Sequence, residues 1–386
     1  MPRLRRREGG LRPGAGLGLR SVVVVGTGVA GTSTAAALRR HGYDGRLVLV
    51  GDEPLPPYRR TALTKEVLGD RPVPLLKPDA WWHQNDVELL TGTTVTAVRP
   101  GAVELDGVVL PADATVLATG GRARGLEALP GAAAVRSAAD VDALLPRLVT
   151  GARVVVVGAG LVGLELAGAA LDRGCQVTVL EAAPLPLRRL LPRVAAEALV
   201  RRYRATGLDL RLEATRDDVA MACRHADLVV AAVGQEPVTE LAEAAGARVR
   251  DGVVVDRFGR SWLPGLWAAG DCAAFPDRTG GHRRQEHWNA AMTQGSAVGA
   301  ALLGLGEGWG ETPWAWSQHL GVDLQVCGDG DDSDDLRVEG DLDDDFAVLR
   351  SRGGRLTGAV TVNRTPAMRD LRRLVAEEGQ VEAIAR

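Results

Sequence analysis

Residues 22–31 read VVVVGTGVAG, and residues 154–163 read VVVVGAGLVG. In both stretches a run of valines leads into the pattern G-x-G-x-x-G and then into helix-forming residues, which predicts a strand, a tight turn and a helix. The glycines let a pyrophosphate come close to the backbone, and the helix N-terminus offers it unpaired N–H groups. One copy would be weak evidence, whereas two copies 132 residues apart predict two dinucleotide-binding units.

Carboxylates follow the second strand of each unit, where folds of this kind bind a ribose. Asp52 comes after the apolar run 47–50, and Glu181 ends the run 176–180. A carboxylate at Glu181 accepts hydrogen bonds from a ribose 2′-OH and repels a 2′-phosphate, which favours NAD over NADP. Arg188 and Arg189 leave NADP as an alternative cofactor, because a nearby arginine could bind the 2′-phosphate.

Each unit also contains a later strand that ends in a glycine. Segments 113–120 and 227–234 both run from an acidic residue through an apolar strand to Gly120 or Gly234. These segments lie 114 residues apart, against 132 for the glycine turns, so the first unit has 18 additional residues between its turn and this strand. The difference predicts extra structure in the first unit, as expected if it holds the larger cofactor. A further strand, 266–269, ends in Gly270 and Asp271, and such an Asp can bind the hydroxyls of a long cofactor arm.

Length and composition indicate a multidomain globular protein. With 386 residues, 46% hydrophobic and 25% charged, the chain exceeds what one core usually supports and has ordinary globular usage. The longest apolar stretch, 154–171, contains four glycines and Glu165, so we interpret it as a strand, a turn and a buried helix and expect no membrane segment. The formal net charge of −3 does not favour nucleic-acid binding.

Cysteine and histidine usage excludes several classes of site. The cysteines at 175, 223, 272 and 327 form no C-x-x-C pair, and His282 and His287 lack partners at ligand spacing, so we expect no metal site. A reducing cytoplasm fits this pattern. Residues 1–20 are rich in arginine and glycine and lack an apolar secretory core, which predicts a disordered tail.

From residue 21 onward the chain resembles the FAD-containing, NADH-dependent ferredoxin reductases of the putidaredoxin reductase and biphenyl dioxygenase ferredoxin reductase type. The landmarks of this resemblance lie at 26–31, 51–53, 57–65, 118–121, 158–165, Glu181, 270–271, 286–288 and 313–317. It implies an α/β fold with two Rossmann-like domains, for FAD and NAD, arranged as in glutathione reductase, and an α+β C-terminal domain. The expected ranges are a tail at 1–20, an FAD domain at 21–137 and 250–310, an NAD domain at 138–249 and a C-terminal interface domain at 311–386.

The resemblance also implies a function and a set of site residues. Electrons would pass from NADH through FAD to a [2Fe-2S] ferredoxin that serves a cytochrome P450 or a Rieske oxygenase, in a monomer or homodimer. Lys65, Glu165 and Trp316 are the expected catalytic residues. The expected cofactor-binding residues are Gly26, Gly28, Ala30, Gly31, Asp52, Arg60, Lys65, Val95, Ala118, Thr119, Gly120, Arg136, Gly158, Gly160, Leu161, Val162, Gly163, Glu181, Gly234, Gly270, Asp271, Glu286, His287 and Trp288.

Two segments depart from the family pattern. Thr61 and Ala62 stand where the family usually has two prolines, which predicts a looser loop on the flavin side. The stretch 212–227 is shorter than the usual hairpin of the NAD domain.

Glu165 is the one charged residue of its apolar stretch, and a buried carboxylate without a partner would be costly. Lys65 is the best candidate partner, because a chain with 44 arginines and two lysines has a compact ammonium there. The resemblance places both residues beside the reactive flavin nitrogen. The alternative is a structural ion pair between domains.

The cysteine positions separate this activity from others on the same fold. Disulfide reductases and related peroxidases need a redox cysteine near the flavin, and residues 61–65 contain none. Two alternatives stay open: an FAD/NADH enzyme that reduces a quinone, oxygen or another small molecule directly, and a redox-sensing flavoprotein like apoptosis-inducing factor.

Aromatic and charged residues suggest where a partner would dock. The resemblance puts Trp316 at the flavin face, near the route to ferredoxin, and interface packing is the alternative role. An acidic ferredoxin calls for a basic face. The candidates are Arg59, Arg60, Arg283, Arg284, Arg369, Arg372 and Arg373. The acidic segment 329–345 is expected to form a solvated hairpin flank that faces away from such a partner.

Overall fold

The computed structural model describes residues 18–69, 71–125, 127–277, 280–331 and 333–381. Most of the predicted tail, residues 1–17, therefore lies outside the described residues. The helices are α1 Val29–Arg40, α2 Asp79–Gln84, α3 Ala138–Leu144, α4 Leu161–Asp172, α5 Arg193–Ala205, α6 Arg216–Arg224, α7 Glu240–Ala244, α8 Trp288–Ala301 and α9 Thr365–Ala376. Short 3-10 helices lie at Arg60–Ala62, Val67–Gly69 and Leu145–Arg147.

The strands follow in the same chain order. They are β1 Ser21–Val25, β2 Arg46–Val50, β3 Glu88–Leu90, β4 Val95–Arg99, β5 Ala102–Leu105, β6 Val108–Pro111, β7 Ala114–Leu117, β8 Gly121–Ala123, β9 Arg153–Val157, β10 Gln176–Leu180, β11 Asp209–Arg211, β12 Leu228–Ala231, β13 Gln235–Pro237, β14 Val253–Val254, β15 Leu266–Ala268, β16 Ala273–Pro276, β17 His282–Arg283, β18 Trp314–His319, β19 Val322–Gly328, β20 Asp335–Gly340, β21 Phe346–Arg352 and β22 Arg355–Val362.

The first glycine turn belongs to a five-stranded parallel sheet of order β15-β7-β1-β2-β3. The valines of β1 are buried because the sheet is covered on both faces, as an apolar β-branched run predicts. Helices α1 and α8 pack closely together on this sheet. Gly295 of α8 permits that approach, since a Cβ there would lie 2.2 Å from the Ala30 carbonyl oxygen of α1.

The second glycine turn belongs to a four-stranded parallel sheet of order β11-β10-β9-β12. Strand β9, the turn and helix α4 occupy the long apolar stretch, which confirms its interpretation as a strand, a turn and a buried helix. Helix α6 occupies most of the segment 212–227, which is shorter than the hairpin usual in the family. The described helices include none that is both long and apolar enough to cross a bilayer.

The extra residues of the first unit form a three-stranded antiparallel meander, β4-β5-β6. The two units are joined by an antiparallel pair, in which β8 leaves the first unit and β13 returns from the second. Thr119, next to β8, donates a hydrogen bond from its hydroxyl to the Val238 carbonyl at 2.6 Å. These connections bring the two parallel sheets together at their carboxyl ends.

The C-terminal part is an antiparallel sheet of order β18-β19-β22-β21-β20, with α9 packed against β19 and β22. The first strand alternates, with Ala315, Ser317 and His319 buried and the residues between them more exposed. This sheet also contacts α4 through β18, so it reaches the second unit directly. The two parallel sheets and the C-terminal sheet with its helix confirm the α/β architecture predicted from the sequence.

Candidate functional site

A single continuous cavity of 1860 Å³ runs between the two glycine turns and reaches β18 of the C-terminal sheet. Typical small-molecule pockets measure roughly 300–1,000 Å³, so this volume suits two dinucleotides better than one. The helix ends that line it include the N-termini of α1, α4 and α8. None of the three has a side-chain cap or an acidic residue in its first turn, which leaves their N–H groups for phosphates.

The three glycines of the first turn have separate roles. Gly26 has φ +114°, and a Cβ there would lie 2.1 Å from the Ala118 carbonyl oxygen. Gly28 faces open cavity, where a Cβ would meet no atom within 4 Å. Gly31 lies behind the cavity wall, with its Cβ position 2.0 Å from the Gly26 carbonyl oxygen. Gly31 lets α1 pack closely on the turn, and it does not line the cavity.

The second turn repeats this geometry. Gly158 has φ +107°, with its Cβ position 2.5 Å from the Ala232 carbonyl oxygen, and Gly160 faces open cavity. Gly163 is packed behind the wall, 2.2 Å from the Gly158 carbonyl oxygen. Both third glycines, predicted to bind cofactor, therefore act through packing, because the helix must lie close to the turn for its N-terminus to reach a phosphate.

The two carboxylates that the sequence predicts for ribose binding both line the cavity. Asp52, at the end of β2, is exposed to the cavity. Glu181, at the end of β10, is held by the backbone N–H groups of Ala159 and Ala183, each 2.8 Å from one of its oxygens. A carboxylate fixed in this way faces the second glycine turn.

Asp271 lies where the two units meet. Its Oδ2 accepts a hydrogen bond from Gln235 at 3.0 Å and lies 3.4 Å from the Arg136 guanidinium. Gln235 belongs to β13, so a residue of the connecting strand orients a carboxylate of the first unit. No local pattern singles out Gln235, because its partner lies in another part of the chain.

The remaining predicted cofactor residues line the same cavity. They are Ala30, Arg60, Lys65, Val95, Ala118, Thr119, Gly120, Leu161, Val162, Gly234, Gly270, Glu286, His287 and Trp288. In the described part of the chain the buried indole N–H of Trp288 has no hydrogen-bond partner, which fits an acceptor on a bound group. The uncapped helix ends, the open glycine faces and this donor together suit a flavin dinucleotide in the first unit.

The loop expected to be loose is well packed. Arg60–Ala62 forms a 3-10 helix, and Ala62 and Leu63 are buried. Arg60 pairs with Glu53 and donates a hydrogen bond to the Arg136 carbonyl at 2.9 Å.

Tyr58 also contacts this loop. It donates a hydrogen bond to Glu53 at 2.5 Å, and burial is the main cause that raises the pKa of Tyr58 to about 12. Side-chain hydrogen bonds and packing thus stabilise a loop that lacks the two prolines.

The predicted partner of Glu165 is confirmed. The Lys65 Nζ lies 2.6 Å from Glu165 Oε1, although the residues are 100 positions apart. Glu165 is only 5% exposed and accepts two further hydrogen bonds, from the hydroxyls of Thr64 and Ser317, both at 2.5 Å. Three donors around one buried carboxylate offset its desolvation, and the pair forms part of the cavity wall.

Three tryptophans meet beside this wall. Trp316 lines the cavity, lies edge-on to Trp288 at 5.9 Å between ring centroids and stacks on Trp314 at 4.9 Å. The Arg372 guanidinium lies 4.0 Å from the Trp314 ring centroid. Trp316 therefore packs between elements and also borders the cavity. This position is compatible with both expected roles, contact with the cofactor and packing at an interface.

The arginines proposed for docking have different surroundings. Arg284 is only 6% exposed at its side chain and pairs with Asp251 and Glu286, so its assignment to a docking face is wrong. Arg59 and Arg60 pair with Glu66 and Glu53. Burial removes the Arg284 guanidinium from the surface, and carboxylate partners offset the charges of Arg59 and Arg60.

The acidic segment begins closer to the site than expected. Asp329 lines the cavity and pairs with Arg283, so this end of the segment does not face away from the basic candidates. Its far end, at Asp343, pairs with Arg201 of α5. The candidates left on α9 are Arg369, Arg372 and Arg373, of which Arg373 pairs with Glu377.

His319 and Tyr203 are polar residues beside the site that no sequence motif predicts. His319 lies between Ser317 and Tyr203, with its ring nitrogens 2.9 Å and 2.6 Å from their oxygens. The alternation of β18 was the available signal, because a serine and a histidine two residues apart share a face with a buried alanine. The role of Tyr203 could not be predicted, since its helix has the pattern of an ordinary amphipathic helix.

Two family models match the chain. Residues 20–295 match pyridine nucleotide-disulphide oxidoreductase, and residues 314–385 match the reductase C-terminal family. The chain is 36% identical to the ferredoxin reductase component of chlorobenzene dioxygenase from Cupriavidus sp. (strain PS12), over 94% of this chain and 93% of that protein. It is 33% identical to rhodocoxin reductase from Rhodococcus erythropolis, over 93% and 90% of the two chains.

Solved structures give the same relationship. The chain superposes on the reductase in the covalent putidaredoxin reductase–putidaredoxin complex with a TM-score of 0.87 and 29% sequence identity. The superposition covers 95% of this chain and 95% of that one. The similarity therefore extends through both nucleotide-binding units and the C-terminal sheet.

Proposed function

Because this chain belongs to the pyridine nucleotide-disulphide oxidoreductase family and carries a reductase C-terminal domain, we propose that it is an NADH-dependent, FAD-containing ferredoxin reductase. Its cofactors are FAD, in the first unit, and NAD(H), in the second. The proposed electron acceptor is a [2Fe-2S] ferredoxin that serves a cytochrome P450 or a Rieske oxygenase. Bound FAD supplies the conversion of a two-electron hydride donor into one-electron steps.

The observation that carries this proposal is the composition of the cavity wall beside Lys65 and Glu165. Among the described residues that line the cavity, the one cysteine is Cys327, and burial raises the pKa of its thiol to about 12. A thiol held neutral in this way is a poor nucleophile and redox partner. The wall offers an ion pair and an aromatic cluster in place of a reactive dithiol, which supports direct transfer to an external acceptor.

The chain's own groups have separate tasks in this scheme. Glu181 selects the ribose of NADH, and the α4 N-terminus receives its phosphates. Lys65, held by Glu165, places a positive charge where negative charge develops at the cavity wall. Trp316 and Trp314 lie between this wall and Arg372 on α9, which is the side where we propose that the ferredoxin docks.

The test is the dependence of NADH oxidation on ferredoxin. We expect rapid NADH-dependent reduction of cytochrome c only when a [2Fe-2S] ferredoxin encoded in the same genome is added. Equal rates without ferredoxin, or rapid turnover with a quinone, would support the direct reductase instead. Slow reduction by NADH with a long-lived charge-transfer absorption and dimerisation would support the redox-sensing alternative.

We further propose a cytoplasmic location. Its support is that Cys175, Cys223, Cys272 and Cys327 are unpaired, as is usual in a reducing compartment. The choice between monomer and homodimer stays a prediction that light scattering of the purified protein can decide.

A further inference from the structure

A line of three buried polar side chains leads from the protein interior to the Lys65–Glu165 pair. Tyr203 and Ser317 are fully buried and His319 is 6% exposed. Tyr203 belongs to α5 of the second unit, whereas Ser317 and His319 belong to β18 of the C-terminal sheet. The line ends at Glu165 on α4, where Lys65 approaches from the first unit. Neither His319 nor Tyr203 has a part in the function proposed above.

Hydrogen-bond chemistry fixes the direction of every bond along this line. The Glu165 carboxylate in the ion pair only accepts, so Ser317 must donate its single hydroxyl proton to Oε1. Ser317 therefore accepts from His319, whose Nδ1 must carry a proton. With one proton on a neutral ring, Nε2 is an acceptor and receives the Tyr203 hydroxyl. Each donor thus points toward Glu165.

The surroundings keep the ring neutral. Burial, and then the positive charge of Lys65, lower the pKa of His319 to about 3. Burial also raises the pKa of Tyr203, which keeps its hydroxyl as a donor. The positive charge of Lys65 acts on the ring, Glu165 is linked to it through Ser317, and Arg202 acts on Tyr203 at the other end of the line.

We propose that Ser317 and His319 are positioning residues, which orient the Glu165 carboxylate so that it holds the Lys65 ammonium against the cavity wall. The inference rests on the proposed function only in requiring that NADH reduces the bound FAD. Ser317 and Lys65 share the same oxygen, Oε1, so the direction from which Ser317 donates limits where the ammonium can lie. Because β18 and α5 lie in different parts of the fold, the line also fixes the C-terminal sheet relative to the carboxylate.

The first test is the tautomer of His319 in the holoenzyme. The full chain has six histidines, so ring nitrogens labelled with ¹⁵N can be assigned by the signal that H319N removes. We expect the Nδ1–H tautomer, unchanged from about pH 8 to about pH 5. An Nε2–H tautomer, or protonation near the ordinary histidine pKa, would overturn the inference without any measurement of activity.

The second test is the rate of flavin reduction by NADH in anaerobic stopped-flow experiments. S317A and H319L remove the donor to Glu165 or to Ser317, and we expect reduction about tenfold slower, the size of a lost hydrogen bond to a charged group. H319N keeps an N–H donor for Ser317, so it should recover most of the rate. The Kd for NADH should stay unchanged, since Glu181 and the second glycine turn are untouched.

The matched control is Y43F, which removes a buried tyrosine hydroxyl far from this line. Tyr43 is 5% exposed and donates to the Arg46 carbonyl at 3.2 Å. We expect wild-type flavin reduction in Y43F and slower reduction in Y203F. Wild-type rates in S317A and H319L would overturn the inference. These measurements need no ferredoxin, so their failure is distinct from failure of the proposed function, which the ferredoxin-dependence assay decides.

Discussion

Glu165 is the residue on which the chemistry of the cavity wall depends. It is 5% exposed and accepts hydrogen bonds from Thr64, Lys65 and Ser317, so the loop at 64–65 and strand β18 both reach one carboxylate of α4. An ion pair in such a place contributes little net stability, because the desolvation of both charges offsets their attraction. Its position beside the cavity favours a chemical role, and the lysine is the residue that tests it.

Lys65→Met removes the ammonium and keeps much of the side-chain volume. We expect flavin reduction by NADH to slow by at least about tenfold, or the flavin potential to become more negative, because positive charge no longer stabilises the reduced state. Anaerobic stopped-flow absorbance and redox titration measure the two effects. Unchanged kinetics and potential, with only a lower unfolding temperature, would instead identify a structural ion pair.

Glu181→Ala should relax the choice of nucleotide. Glu181 is held by the Ala159 and Ala183 N–H groups, and Arg188 and Arg189 line the same cavity. Removing the negative charge should raise kcat/KM for NADPH and lower it for NADH, each by about tenfold. A variant that still rejects NADPH as strongly as the wild type would assign the selectivity to another residue.

His319 should make the folded state sensitive to acid. Its pKa is about 3 in the folded protein against an ordinary value of 6.5, so below the ordinary value only the unfolded chain takes up the proton. The contribution of His319 to the free energy of unfolding is therefore complete above about pH 6.5, and it decreases as the pH falls below that value. Between about pH 7 and pH 5 the loss is about 2 kcal/mol.

H319N removes this titration. Thermal unfolding at several pH values should show a smaller fall in Tm on acidification for H319N than for the wild type. Equal falls in the two proteins would mean that the ring becomes protonated without unfolding.

At the scale of elements, the two strand–turn–helix units divide their glycines between packing and binding. The second glycine of each turn faces the cavity, whereas the third lies against the backbone of the first. Gly160 has an ordinary negative φ, so alanine fits its backbone and only projects a methyl group into the cavity. Gly163 has no such space.

Gly160→Ala and Gly163→Ala should therefore fail in different ways. We expect Gly160→Ala to raise the Kd for NADH by about tenfold or more with an unchanged Tm, because the methyl group occupies the pyrophosphate position. Gly163→Ala should lower Tm, because a Cβ there would lie 2.2 Å from the Gly158 carbonyl oxygen. Calorimetry and NADH titration separate the two results, and equal losses of stability would contradict this division.

For the molecule as a whole, the feature that bears on a partner is the group of three arginines that α9 carries beside the aromatic cluster. Met368 and Leu371 are buried, so Arg369, Arg372 and Arg373 occupy the flank of the helix that runs past Trp314. The proposed domain ranges put this helix in the C-terminal interface domain, and those ranges stay a prediction. We propose that a ferredoxin docks against the charge on α9.

Arg369→Glu should weaken reduction of an acidic ferredoxin without affecting the chemistry with NADH. We expect KM for ferredoxin to rise by about three- to tenfold at low salt, and the difference from the wild type to shrink at high salt. Reduction of ferricyanide should not change. The control is Arg193→Glu on α5, which reverses an exposed charge at the start of a distant helix. Equal effects of the two substitutions would show that only net charge matters.

Features that depend on short-range pattern can be predicted from the amino-acid sequence alone. Valine runs, glycine spacing and carboxylates at strand ends specify two nucleotide-binding units, because each requires only residues that are neighbours along the chain. Even the Lys65–Glu165 pair could be predicted, since an isolated charge in an apolar helix requires an opposite charge.

Which distant side chains share a site depends on the folded chain and could not be predicted. Tyr203 and His319 are 116 positions apart, and neither local pattern specifies their contact. The pairing of the buried Arg284 with Asp251 and the pairing of Asp329 with Arg283 likewise join residues that are far apart along the chain. Contacts of this kind depend on the closure of long loops and on the packing of finished elements, so no periodicity along the chain encodes them.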